Sequence, residues 1–245
     1  MRFDESQFTS RINAVFKQNG FSSMLKRESV EKFILLTELM LEENEKYNLT
    51  AITEPNKIIL NHYADCAALA AILPKGARIA DVGCGAGFPS LPIALLRPDL
   101  TVIGIDSTAK RVAYVNEAAK RLGLLNLTAI AGRAEDLGID PKYRESFDVA
   151  VARAVAAMRV LSELCLPLVK VGGKFIAMKG KNAQFELSEA KRAIATLGGK
   201  ISATDDIRLS DPDEELIHPL IIIDKKIKTP SAYPRPFAKI SKKPL

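Results

Sequence analysis

Residues 78–90 read Arg-Ile-Ala-Asp-Val-Gly-Cys-Gly-Ala-Gly-Phe-Pro-Ser, and residues 101–106 read Thr-Val-Ile-Gly-Ile-Asp. An apolar run closes on Asp81, Gly83, Gly85 and Gly87 follow at once, and Pro89 opens a helix. A second apolar run then closes on Asp106. Strand, glycine turn, helix, strand and acid together outline a nucleotide-cofactor site. Glycine lets the backbone approach a ligand and adopt φ > 0 without a Cβ clash. The helix behind the turn points its free N–H groups at the same place. An acid at the end of the second strand can accept both hydroxyl hydrogens of a ribose.

Spacing selects the cofactor. A dinucleotide fingerprint runs G-x-G-x-x-G, but here Phe88 stands where the third glycine belongs and Gly87 arrives one residue early. Pyrophosphate requires the closer helix packing of the longer form. A shorter turn followed by a bulky aromatic suits a ligand with a ribose and an amino-acid tail but no phosphate. That description fits S-adenosyl-L-methionine and excludes NAD. A tight strand-to-helix connection would account for the glycines alone, but not for Asp81 and Asp106 on either side of them.

Composition bounds the rest. The chain has 245 residues, 47% of them apolar, enough for one sizeable α/β domain with an appendage. Its longest apolar runs, 66–73 and 219–223, fall short of the ~18 residues a membrane helix needs. Residues 1–6 lack the basic-then-apolar pattern of a secretory signal. Cys66, Cys84 and Cys165 are far apart and suggest neither a zinc pair nor a disulfide framework, and His62 and His218 are too few for a histidine-rich metal site. A reduced cytoplasm is the natural compartment. Net charge is +6, and residues 224–245 hold Lys225, Lys226, Lys228, Arg235, Lys239, Lys242 and Lys243 against Asp224 alone. The whole excess therefore lies in a proline-rich tail, with Tyr233 and Phe237 among the cations. Such a strip can neutralise phosphates and offer rings for stacking; a solvated, solubilising tail is the competing reading. Arg2, Arg11 and Lys181 are the next basic positions to consider.

Residues 1–74 read as a helical region. Phe8, Ile12, Val15 and Phe16 form one apolar stripe, a longer stripe spans 30–41, and a third helix is expected from Pro55 to Leu73. From Ile79 strands and helices alternate. Strands are expected near 78–82, 101–106, 127–131, 147–152, 174–179, 201–208 and 216–224, with helices near 90–97, 108–122, 134–137, 155–170 and 183–197. Gly172-Gly173 reads as a helix end. Short apolar strands joined by crossover helices predict a doubly wound parallel sheet. The last two strands have no helix between them and predict an antiparallel hairpin. This is the Rossmann-like, seven-stranded, mostly parallel sheet of a class I S-adenosylmethionine-dependent methyltransferase. It would occupy 75–226, between an N-terminal helical region at 1–74 and a basic tail at 227–245.

Further motifs narrow the reading. The segments 48–53 (Asn-Leu-Thr-Ala-Ile-Thr), His62-x-x-Asp65, the glycine turn with Phe88-Pro89, 132–135 (Gly-Arg-Ala-Glu), 153–156 (Arg-Ala-Val-Ala), Lys179-Gly180 and the terminal Tyr233-Pro-Arg…Pro-Leu together resemble the GidB/RsmG family. Its members methylate a guanine N7 in the 530 loop of 16S ribosomal RNA. The similarity runs in order along essentially the whole chain. It implies cofactor contacts from Gly83 and Phe88, from Asp106, Ser107 and Thr108, from Ala134 and Glu135, and from Arg153. Asp106 would take the ribose diol, the Ala134 N–H and Glu135 carboxylate the adenine edge, and Arg153 the cofactor's carboxylate. The expected partner is 16S RNA or the small ribosomal subunit, met by a cytoplasmic monomer without a metal. Lys225, Lys226, Lys228 and Arg235 are the candidate RNA contacts. The chain departs from the family at Cys84, Ser90 and Cys66, and its tail reads Pro-Phe-Ala-Lys-Ile where the family is rich in Lys and Gly.

Two absences bear on the acceptor atom. The place after strand four holds Arg153-Ala-Val-Ala rather than the Asn-Pro-Pro-aromatic of exocyclic-amine methylation, and Cys165 lies inside a helix rather than at a nucleophile's position. Guanine N7 has an in-plane lone pair and no proton, so positioning replaces a general base. No catalytic acid or base is therefore assigned. Asp65, His62 and Lys179 are candidates to line the acceptor pocket, and for His62 helix-face packing is the alternative. A methyltransferase for a small molecule or protein, and a non-catalytic RNA-binding subunit with a retained cofactor fold, remain as other readings.

Overall fold

The computed structural model describes residues 3–245, so Arg2 lies outside the described residues. Strands β1 (Arg78–Val82), β2 (Thr101–Asp106), β3 (Leu127–Ala131), β4 (Phe147–Arg153), β5 (Val169–Met178), β6 (Gly199–Ser210) and β7 (Glu215–Lys225) form one sheet in the order β3-β2-β1-β4-β5-β7-β6. The pairs from β3 to β5 are parallel, and β7 runs antiparallel to both β5 and β6. This is the expected class I methyltransferase architecture. Its strand order reverses between β1 and β4, and in open α/β sheets ligands bind at the carboxyl ends of the strands beside that switch.

The central strands are apolar on both faces because both are covered. Ile79, Val149, Val151, Ile176 and Met178 face one core, while Ala80, Ala150, Ala152, Phe175 and Ala177 face the other. The first core is shared with α1 (Glu5–Gln18), α2 (Arg27–Tyr47), α3 (Pro55–Ile58), α4 (Asp65–Ile72), α5 (Ser90–Leu96) and α6 (Ala109–Arg121). The second is shared with α7 (Ala134–Leu137), α8 (Met158–Cys165), α9 (Ala183–Thr196) and α10 (Phe237–Lys242). The changes of character at 74/75 and 226/227 are therefore changes of secondary structure, not breaks in packing. Phe8, Ile12, Phe33 and Tyr63 are buried with Ile79 and Leu91, and Ile240 is buried with Phe147 and Leu161.

Local chemistry accounts for several element ends. The Asp4 carboxylate caps α1 by accepting the Ser6 and Gln7 N–H groups at 2.9 and 3.0 Å. At the far edge of the sheet, α1 is tied to the β6–β7 hairpin. Arg11 donates to Asp211 and Asp213 at 2.8 and 2.6 Å, and the Asn19 amide exchanges two hydrogen bonds with the Ser210 backbone.

One expectation is corrected and another is refined. Gly172-Gly173 does not end a helix but lies inside β5, where the pairing with β4 jumps from Phe147↔Val169 to Val149↔Lys174. Gly172 has φ +88°, and a Cβ on Gly173 would meet the Asp148 carbonyl at 2.5 Å, so the pair serves a bulge. The third helix is continuous from Pro55 to Ile72, but residues Ile59–Ala64 wind as a π-helix between α3 and α4. Such wide turns recur at functional sites, and this one carries His62.

Candidate functional site

The glycine turn closes onto the end of β2. Gly83 and Cys84 donate their N–H groups to the Ile105 carbonyl at 2.8 and 3.1 Å, and Gly85 donates to Asp106 Oδ2 at 3.0 Å. Gly83 and Gly87 have φ of +76° and +85°, and a Cβ on Gly87 would meet the Leu91 side chain at 2.3 Å. Residue 87 must therefore be glycine for both conformation and space. Asp81 holds the other side of the turn. Its Oδ2 accepts the Ser90 N–H at 3.2 Å and also the Ser90 hydroxyl, while its buried Oδ1 has no partner. Burial pushes this carboxyl up to about 6. Cys84 is buried with its thiol pushed upward, as befits a small packed residue.

Beside this turn lies a cleft of about 330 Å³, walled by Gly83, Asp106, Ser107, Ala134 and Glu135 from the ends of β1, β2 and β3. These are five of the eight residues assigned to the cofactor from sequence. Asp106 Oδ1 accepts the Thr108 N–H at 2.8 Å, so Asp106 organises both neighbouring loops while facing the cleft. Glu135 is 4% exposed, and burial raises its carboxyl above the usual range. Residues on the cleft wall that were not assigned from sequence include Arg133, Val155 and Phe237. The Phe237 ring lies 5.5 Å from the Arg133 guanidinium carbon.

Phe88, Thr108 and Arg153 are not on that wall. Thr108 precedes α6, and Phe88 and Arg153 belong to an adjoining buried cluster. Arg153, at the end of β4, donates to Asp65 Oδ2 and to the Asn61 carbonyl, both at 3.2 Å, and to His62 Nδ1 at 3.1 Å. His218 Nδ1 lies 3.1 Å from the other Asp65 oxygen. The His62 ring stacks on Phe88 with centroids 4.4 Å apart. Sequence reasoning proposed Asp65 and His62 for this region but missed His218 and Asn61. No local motif marks these two; β7 and the π-helical turn bring them together.

His62 Nδ1 faces the Asn61 carbonyl at 3.0 Å as well as Arg153 at 3.1 Å, and Nε2 faces Thr50 Oγ1 at 3.4 Å. Burial, then the Arg153 charge, brings the imidazole down from its ordinary 6.5 to about 3. A histidine neutral in the folded chain but protonated in the unfolded one contributes stability above pH ~6.5. That stability drains away as the pH falls, by up to about 1.4 kcal/mol per pH unit until about 3. Between about pH 7 and about pH 5, wild type should therefore lose about 2 kcal/mol more than His62→Gln in urea unfolding. Equal losses would show that His62 is protonated in the fold.

Lys179 donates to the Ala156 carbonyl at 2.9 Å and pairs with Glu186 at 2.7 Å, which ties the loop after β4 to α9. The tail differs from expectation more sharply. Lys225 is fully buried: its Nζ donates to the Leu166 carbonyl at 2.7 Å and to Thr229 Oγ1, and lies 3.3 Å from Glu145. Burial brings its pKa down to about 8. Arg235 clasps the buried Glu163 with side-chain bonds of 2.8 and 2.6 Å. Lys225 does not face solvent as an RNA contact must and is withdrawn from the expected strip, whereas Arg235 is bound to Glu163 with its side chain 23% exposed. Burial of an ionic group demands a partner, and a charge count cannot see that partner. Lys226 is exposed but paired with Asp224, whereas Lys228, Lys239, Lys242 and Lys243 lie on the surface. Of the reserve positions, Arg11 is engaged by Asp211 and Asp213, and Lys181 is exposed.

Among the described residues, no helix is long and apolar enough to cross a membrane, and no group of three or more His, Cys, Asp or Glu could hold a metal ion. Residues 29–214 match the family model GidB, described as rRNA small subunit methyltransferase G. The chain is 47% identical over 220 residues to the Ribosomal RNA small subunit methyltransferase G of Clostridium perfringens, covering 89% of this chain and 91% of that one. It is 42% identical over 243 residues to the protein of the same name in Acetivibrio thermocellus, covering 99% of each. Solved structures share the fold at lower identity. A SAM-dependent O-methyltransferase from Thermotoga maritima aligns with TM-score 0.50 at 16% identity, over 77% of this chain and 72% of that one. TYW2 of M. jannaschii, solved with AdoMet, aligns with TM-score 0.52 at 15% identity, over 66% and 75%.

Proposed function

The chain belongs to the GidB family of rRNA small subunit methyltransferases, and on that premise we propose that it methylates N7 of a guanine in the 530 loop of 16S ribosomal RNA, as a cytoplasmic monomer. Its cofactor is S-adenosyl-L-methionine, which supplies the methyl group when bound. The residues fit that group. A cleft of about 330 Å³ is within the range of small-ligand sites, and the buried carboxylates of Asp106 and Glu135 face it from neighbouring loops. This pair of acids beside the glycine turn carries the proposal. Asp106 would hold the ribose diol, Gly83 and Ser107 would line the approach, and Ala134 and Glu135 would take the adenine edge. Arg153 and Phe88 stand in the adjoining cluster, from which Arg153 would take the cofactor's carboxylate and Phe88 would line the glycine turn.

N7 has no proton to lose, so the chain must position the base and exclude water rather than supply a general base. The side chains of the adjoining cluster are consistent with that. Arg153 and His218 occupy both Asp65 oxygens, and His62 Nδ1 is engaged by Asn61 and Arg153. The test is incubation with labelled S-adenosylmethionine and small-subunit RNA, followed by mapping of the modified base. Methyl found on an exocyclic amine, or no transfer to naked RNA and to the 30S particle alike, overturns the proposal.

RNA phosphates would meet the exposed lysines of the tail. Replacing Lys228, Lys239, Lys242 and Lys243 by Gln should weaken RNA binding and flatten the salt slope by about 0.7–0.9 for each phosphate no longer neutralised. Lys225→Gln should leave that slope unchanged. A quadruple variant with the wild-type slope would move the footprint away from the tail.

A further inference from the structure

We propose that Phe237, carried by the C-terminal segment, is a cofactor-specificity residue whose ring flanks the adenine at one end of the cleft; this rests on the reading of that cleft as the S-adenosylmethionine site. Phe237 is a large aromatic left 39% exposed, and it lines the cleft together with Ala134, Glu135 and Leu164. The Arg133 guanidinium lies 5.5 Å from the ring and 3.7 Å from Glu135, so a π-face, a cation and a carboxylate meet at one end. Asp106 ends β2, and a ribose held there leaves the β3 end, with Glu135 and Phe237, for the base.

The ring is held in place from both sides. Two residues before it, Arg235 donates its backbone N–H and two guanidinium N–H groups to Glu163, itself fully buried. Three residues after it, Ile240 is fully buried. Further back, Arg144 donates to the carbonyls of Gly138, Thr229 and Tyr233, each at 2.8 Å. Pro234 closes against Gly138, where an added Cβ would meet its ring at 2.9 Å. An aromatic held in place before its ligand arrives loses little freedom on stacking. Purines stack on aromatic faces, and alanine substitution in nucleic-acid complexes shows such stacking to be large enough to measure.

Calorimetry on the full chain tests this with two ligands, S-adenosylmethionine and 5′-methylthioadenosine, the second lacking the amino-acid tail. Phe237→Ala and Phe237→Leu should weaken both ligands by the same factor, about 5- to 150-fold, while Phe237→Tyr should stay within about threefold of wild type. The Leu variant keeps an apolar side chain on the strap and so separates stacking from packing. Wild-type affinity in the Ala and Leu variants overturns the proposal and leaves the cleft assignment standing. Loss for S-adenosylmethionine alone would move Phe237 to the tail end of the ligand and also overturn it. A wild-type chain that binds neither ligand would refute the cleft assignment itself.

Discussion

Asp106→Ala should cost about 1–3 kcal/mol of S-adenosylmethionine affinity, or roughly 5- to 150-fold in Kd, in a protein that still folds. The carboxylate has two tasks. It accepts the Gly85 and Thr108 N–H groups at 3.0 and 2.8 Å, and it faces the cleft where a ribose would sit. Alanine removes both, so the glycine turn loses its tie to β2 as the diol loses its acceptor. Asp106→Asn keeps one acceptor oxygen and should lose less. Calorimetry on both variants gives the answer, and near-wild-type affinity in the alanine variant would end the ribose assignment.

Asp65→Ala should be the most destabilising single change in the adjoining cluster, at about 3–5 kcal/mol. Asp65 is fully buried between Arg153 at 3.2 Å and His218 at 3.1 Å. Its loss strands a guanidinium that is only 15% exposed. Breaking one side of a buried pair leaves an uncompensated charge, which costs far more than the pair itself contributes. Pairing Asp65→Ala with Arg153→Met should recover much of the loss, because the double variant buries no unpaired ion. Urea midpoints of the two single variants and the double variant decide it. A loss below about 1 kcal/mol for Asp65→Ala would mean that Asn61 and solvent suffice to hold Arg153.

The cleft was legible in the sequence because its determinants are local. Asp81, Gly83, Gly87 and Asp106 lie within one strand-turn-helix-strand unit, where apolar period and glycine spacing report directly on backbone shape. The mostly parallel sheet with its terminal hairpin followed from the same alternation. The Arg153 cluster was legible only in part. Asp65, Arg153 and His218 come from α4, β4 and β7, and no short-range pattern says that the two strands bring them to one carboxylate. The tail departs from its sequence reading for a third reason. Formal charge is additive along a sequence, but a lysine against Glu145 or an arginine against Glu163 is neutralised inside the protein. Glu145 and Glu163 lie about 80 and 70 residues upstream of their partners.

The ties between α1 and the β6–β7 hairpin also order events during synthesis. Arg11 and its partner Asp211 are 200 residues apart, and Asn19 and Ser210 are 191 apart. At about 5–20 residues per second, a ribosome exposes α1 roughly 10–40 s before it finishes the strand that anchors it. Through that interval Phe8 and Phe16 already have ring partners in Tyr63 and Phe33, which emerge within about the next 50 residues. The apolar face of the first helix can thus be covered early, while its polar ties to the hairpin are among the last contacts to close.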